Sequence, residues 1–266
     1  MQKRKEIGMQ STRIISRHWI GVCALILSTL GANSYADSHM PPPPPGVLEV
    51  FACNYNAGKG ASDLMAARDF YVKQADKAGI KLGPAYVWTL IKGDAPNALL
   101  WFAAHDNLAA FGAAADGPQF PAAQARFDSV ATCDATNIAS YAPMFQREAA
   151  GETDNDGAMV ASYACNFKHG VGPAHVSDLV RHVGGVMGGM GDNAPDSSLI
   201  VAPITGGPNT ADRYIFNVFD NMTAWTKFVG ALNSSAQGGQ LVRHFEMLFD
   251  CDASLWAAQQ VIGGEG

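Results

Sequence analysis

Four cysteines recur in matched settings: "FACNY" (51–55) and "ATCDA" (131–135) in the first half of the chain, "YACNF" (163–167) and "DCDA" (250–253) in the second. A thiol serves as half of a disulfide, as a metal thiolate or as a nucleophile. A zinc site needs converging ligands, and the closely spaced cysteine pair that usually begins one is absent. A nucleophile needs an activating neighbour at each copy, and only Cys165 has a histidine nearby, His169. An even count in matched pairs is the pattern of a disulfide framework. His105 ends the apolar run "LLWFAAH". An imidazole in such surroundings is suited to act as a base or an axial metal ligand, or simply to cap the next helix. His105 is therefore the candidate catalytic residue. His169, His175 and His182 fall within fourteen residues without a carboxylate-rich pattern, so no metal site is expected. The run "GGVMGGMG" (184–191) lacks the lysine and the serine or threonine of a phosphate loop. It reads as a glycine-weakened helix that lets another backbone approach, with methionines as packing. No nucleophile elbow, zinc-protease helix or calcium loop is present.

The elements that must position these residues repeat. "LLWFAAHDNLAAF" (99–111) aligns with "RYIFNVFDNMTAW" (213–225), and "FDSVATCDA" (127–135) with "FEMLFDCDA" (245–253). In the first copy "VLEVFACNY" reads as a strand, and "DLMAARDFYVKQADKA" as a helix with Ser62 as N-cap and Gly79 as terminator. "AYVWTLIK" and "ALLWFAAH" are strands joined by the turn "GDAPN", "DN" caps the helix "NLAAFGAAA", "AAQARFDSVA" continues helical, and "TNIASYAPMF" closes as a strand. The second copy follows suit with "AMVASYACNF", "AHVSDLVRHVGGVMGGM", "SLIVAPIT", "DRYIFNVF", two helical pieces and "ASLWAAQQVI". Each copy is βαββαβ, a ferredoxin-like order. The repeats span 47–145 and 158–262, with an acidic linker at 146–157.

Residues 1–36 carry a basic stretch, the apolar run "WIGVCALILSTLGA" and small residues at 34 and 36, the pattern of a signal peptide cleaved after Ala36. The run is too short for a span of about 20 residues, so no membrane attachment is expected after cleavage. "HMPPPPPG", within a linker at 37–46, reads as an extended polyproline tether. Without the signal, 18 basic residues fall to 13 and 24 acidic ones to 23, a net charge of −10. That balance excludes nucleic acid as the expected partner. The expected location is periplasmic or extracellular, as a monomer or homo-oligomer.

Two tandem ferredoxin-like units with their helices on one sheet face resemble the dimeric α/β-barrel superfamily, where two four-stranded sheets close around a shared cavity. "CNYNAGK…DLMAA" followed by "FDSVATCD" is also similar to uncharacterised secreted bacterial proteins with two fused repeats. The resemblance implies an α+β intramolecular barrel. It fixes no activity, because the superfamily holds cofactor-independent monooxygenases, haem-handling enzymes and proteins without known chemistry. Two separate ferredoxin-like domains are the alternative.

In the ferredoxin-like sheet the first and last strands are neighbours, which predicts Cys53–Cys133 and Cys165–Cys251 bridges. Alternation along the third strand separates Phe102 and Ala104 (with Phe216 and Val218) from Trp101, Ala103 and His105 (with Ile215, Asn217 and Phe219). The first set is expected under the helices. The second is expected to face the cavity, joined as ligand-binding candidates by Tyr86 and Trp88, for which either face is open. Three readings follow: an exported protein binding a small apolar or aromatic molecule in the barrel; a monooxygenase-like or haem-handling enzyme; and an interaction module whose barrel is filled by its own side chains. The sequence itself requires no cofactor.

Overall fold

The computed structural model describes residues 46–94, 97–147, 157–206 and 210–263. The expected signal peptide, the prolines of the tether and nearly all of the acidic linker lie outside them. The first half runs β1 (Gly46–Tyr55), α1 (Ala61–Lys77), β2 (Ala85–Lys92), β3 (Leu99–His105), α2 (Leu108–Ala115), α3 (Pro121–Asp128) and β4 (Ala131–Gln146). The second runs β5 (Ala158–Phe167), α4 (Val176–Gly189), β6 (Ser197–Pro203), β7 (Arg213–Phe219), α5 (Met222–Ser234), α6 (Ala236–Leu248) and β8 (Phe249–Ile262). The eight strands close into one barrel in the order β1-β3-β2-β8-β5-β7-β6-β4. Each half contributes a ferredoxin-like sheet. The halves join through antiparallel β2–β8 and β4–β6 pairs, so every strand has two neighbours.

Local chemistry explains the element ends. Asn107 and Asn221 hold matched N-cap positions and accept from the backbone N–H of Ala110 (2.9 Å) and Ala224 (3.0 Å). Helix α1 ends in a Schellman motif: Gly79, at φ 68°, donates to Asp76 O, and Ile80 donates to Ala75 O. Its start departs from expectation. Ser62 lies inside the helix and Gly60 is the N-cap, because the Asp63 carboxylate accepts from the Gly60 N–H at 3.2 Å and does the capping from the third helical position. Strand β4 begins earlier than its β-branched run suggests, at Ala131, so that it spans Cys133.

Both disulfides are present, Cys53–Cys133 and Cys165–Cys251, between residues directly opposite each other on β1/β4 and β5/β8. Their Cα atoms are 3.9 and 4.1 Å apart, and the bridges span 80 and 86 residues. Among the described residues no helix is long and apolar enough to cross a membrane. The glycine-weakened helix is α4, and Gly184 lies where an added Cβ would stand 3.1 Å from Met144 O, bringing this helix of the second half onto β4 of the first. Gly238 is tighter: a Cβ there would collide with the Leu232 carbonyl, so the α5–α6 corner closes only around glycine.

Nearly equal loops predict nearly equal losses. Removing either bridge, as Cys53→Ala/Cys133→Ala or Cys165→Ala/Cys251→Ala, is expected to lower stability by about 4 kcal/mol. Urea unfolding measures this, and a strongly unequal pair of losses would contradict the chain-entropy origin. Gly238→Ala is expected to destabilise by more than about 1 kcal/mol. Gly239→Ala, whose Cβ meets nothing nearer than 3.6 Å, should be neutral or stabilise by up to about 1 kcal/mol.

Candidate functional site

The two faces of the barrel strands are the reverse of the sequence expectation. Leu48, Trp88, Phe102, Val160, Val201, Phe216 and Trp256 form one buried cluster with Tyr86, Ala104, Tyr141 and Val218 around it, drawn from all eight strands. That cluster is the barrel interior. Trp88 of β2 meets Phe216 of β7 at 4.8 Å between ring centroids, and Phe102 of β3 meets Phe216 at 6.1 Å. These strands are not neighbours, so the rings touch across the axis and fill the lumen. Trp256 adds its indole N–H, which donates to Ser162 Oγ at 2.8 Å. Tyr86, Tyr141 and Tyr214 bring phenols to the cluster. Burial, and secondarily the neighbouring Tyr141, raises the Tyr86 phenol above its ordinary range.

Trp101, His105, Asn217 and Phe219 stand on the outer face, under the helices. Trp101 packs edge-on against Phe127 of α3 at 5.7 Å. His105 lies against Phe111 of α2 at 5.4 Å, and its Nε2 is buried without a hydrogen-bond partner. Phe219, fully buried, packs on Phe228 of α5. Of the six ligand-binding candidates, Tyr86 and Trp88 therefore meet in the lumen and the other four do not. The reversal has a simple cause: with the lumen on one side and helices on the other, both faces are apolar, and an eight-stranded barrel is just wide enough for its side chains to fill it.

Among the described residues an enclosed space lies on the outer face of the second half. A cavity of about 450 Å³ separates the sheet from α4, α5 and α6. Its floor includes Tyr163, Ile215, Asn217, Ser198 and the Cys165–Cys251 bridge; its roof includes Met187, Phe228, Leu241 and Phe245. At its mouth Lys168 bonds the Glu246 carbonyl and pairs with Asp250 at 3.3 Å, an exposed ion pair of little energetic weight. Inside, Ser198 Oγ donates to Asn217 Oδ1 at 2.7 Å. Asn217 is 6% exposed and Ser198 0%. The Asn217 Nδ2 donors bond no group among the described residues, which leaves two hydrogens for a guest. Tyr163 lines the same space, and burial raises its phenol above the ordinary range.

Comparison of the halves explains the cavity. Ser198 pairs with Asn217 across β6–β7 where Ala85 pairs with Ala103 across β2–β3, and Ile215 stands at the position of Trp101. Helices α5 and α6 have 13 residues each, against 8 each in α2 and α3. A smaller floor side chain under a longer roof leaves room. Asn217 was visible in the sequence as an isolated polar group on a strand. Ser198 was missed, although its replacement of alanine in the aligned repeat was a readable signal.

The same eight-stranded architecture occurs in solved structures of low sequence identity. A protein described as a "putative monooxygenase" from Fusobacterium nucleatum superposes with a TM-score of 0.52 at 10% identity, covering 82% of this chain and 93% of that one. The fold is the dimeric α/β-barrel. A second "putative monooxygenase", from Lactobacillus acidophilus, has a TM-score of 0.50 at 10% identity, with coverage of 82% and 97%. An anthrone oxidase-like protein has a TM-score of 0.52 at 12% identity, with coverage of 84% and 94%. No protein-family model and no curated protein matches the sequence.

The donors around the cavity do not fit haem. Among the described residues no histidine lines it, Cys165 and Cys251 are spent in their disulfide, and burial opposes the Tyr163 phenolate that would ligate iron. His105 belongs to the other half, beside α2.

Burial lowers the pKa of His105 below its ordinary 6.5, with Asp106 opposing part of the shift. The unfolded chain then takes up this proton before the folded one does, so the associated stability is complete above 6.5 and is lost as pH falls through the folded value. His105→Phe, which installs the residue found at the matched position 219, is expected to flatten the urea midpoint from about pH 7 to about pH 5. An unchanged slope would mean that the ring is as easily protonated folded as unfolded.

Proposed function

We propose that this protein is an exported binding protein that holds a small, largely apolar molecule between the second sheet and helices α4–α6. The observation that carries the reading is Asn217: an amide on the floor of an apolar cavity whose Nδ2 opens on that space and bonds no group among the described residues. An amide N–H that opens on a mostly apolar space is placed to donate to a guest oxygen. An apolar cavity with few convergent polar groups is the make-up of a small-molecule site. Two disulfides support export, since such bridges persist outside the reducing cytosol. The expectation of a guest in the barrel lumen gives way to the helix side, because rings from opposite walls occupy the lumen.

The enzymatic reading draws support from the fold shared with monooxygenase-like proteins, which is a likeness of architecture. Against it stands the cavity's chemistry: a hydroxyl, an amide and a phenol of raised pKa, with the charged groups at the mouth. These groups bind and orient better than they move protons at neutral pH.

Ile215→Trp, copying the first half, fills the cavity. It is expected to weaken binding of the neutral dye N-phenyl-1-naphthylamine by at least about tenfold while thermal unfolding stays cooperative. Undiminished dye binding by the folded variant would remove the cavity from the proposal. Hemin titration is expected to give no Soret band that depends on His105; such a band would restore the haem reading.

A further inference from the structure

His182 of α4 and His244 of α6 are 62 residues apart in sequence, yet their Nδ1 atoms lie 3.0 Å from each other, with ring centroids at 5.3 Å. Both residues are half-buried, so an ion from solvent has access to them. Neither helix end accounts for the contact. His182 sits in the middle of α4, and His244 occupies the ninth position of α6. His175, seven residues before His182, is otherwise engaged: its Nδ1 accepts from the Gly172 N–H at 3.1 Å.

One Nδ1 donates to the other, so the rings meet head-on, and a turn of each ring aims both nitrogens at one point. That convergence is what a metal ion needs. An ion about 2.0–2.1 Å from each nitrogen sets the nitrogens about 2.9 Å apart at a right angle and about 3.4 Å apart at a tetrahedral one. The observed 3.0 Å lies in that range, so metal entry asks the two rings to turn without changing the distance between their nitrogens. We infer that His182 and His244 form a two-imidazole site for a divalent transition-metal ion, Zn²⁺, Ni²⁺ or Cu²⁺, which clamps α4 to α6. Neutral imidazole donors suit these ions rather than Mg²⁺ or Ca²⁺. On binding, the shared Nδ1 proton leaves to solvent and water completes the coordination. Among the described residues no three His, Cys, Asp or Glu side chains converge, so the protein supplies two ligands and the site stays open. The nearby Asp178, one turn before His182, is held by Arg181. Helices α4 and α6 carry Met187, Leu241 and Phe245 of the cavity roof, so a bound ion would also fix that roof. The site stands on its own geometry, independently of what the cavity holds.

The test uses the untagged, metal-stripped chain from residue 37 onward. Calorimetric titration with ZnCl₂ and with NiCl₂ is expected to give one ion per chain, and thermal unfolding in excess metal should shift upward. His182→Ala and His244→Ala should each weaken binding by at least about tenfold and abolish the thermal shift. His169→Ala/His175→Ala should leave both intact. Because alanine could loosen the helix pair, His244→Gln serves as a second variant with the same expected loss, and ¹⁵N spectra of wild type should show two imidazole Nδ1 signals moved by Zn²⁺. No saturable binding up to about 1 mM by folded wild type would overturn the inference. So would binding that survives both single substitutions.

Discussion

Closure of the barrel by backbone hydrogen bonds at two seams is the constraint on which the rest depends. Each ferredoxin-like sheet, taken alone, ends in exposed edge strands: β2 and β4 in the first half, β6 and β8 in the second. The β2–β8 and β4–β6 ladders satisfy all four edges at once. Unpaired edges template aggregation, so the two halves need each other. Closing eight strands also sets the lumen's width, and at that width aromatic side chains from opposite walls meet. The filled lumen is thus a consequence of closure, and it pushes any vacant space outward, beneath the helices.

Duplication then lets the halves diverge on one scaffold. On the outer face of the first half Trp101 meets Phe127 over a floor that includes Ala85. The second half has exchanged a tryptophan for Ile215 and an alanine pair for Ser198 and Asn217, and has lengthened the two helices that roof the sheet. Each change alone is a small perturbation of a core. Together they convert packing into a cavity with one hydrogen-bonding corner, where Ser198 donates to Asn217.

The disulfides belong to the same logic. In each half the first and last strands lie side by side although 80 or 86 residues separate the bridged cysteines. Closing so long a loop costs conformational entropy before the strand pair can form, and a covalent bridge removes much of that freedom from the unfolded chain. In the second half the bridge has a further position of interest, since it forms part of the cavity floor.

By itself the sequence determined the local and the repeated: the strand limits at Ala85–Lys92 and Ala158–Phe167, the cap at 106–107, the Gly79 terminator, and the cysteine pairing once strand order was recognised. These rest on side chains acting on neighbouring backbone, or on comparing one half with the other. Tertiary structure alone decided which strand face looks inward, because both faces are buried and hydrophobicity cannot separate them. It alone moved the cap of α1 from Ser62 to Gly60 and Asp63, where two chemically suitable acceptors competed for one helix start. It alone brought His182 to His244 and left space above Ile215, since contacts between helices distant in sequence and the volume between packed layers leave no periodic trace in the chain.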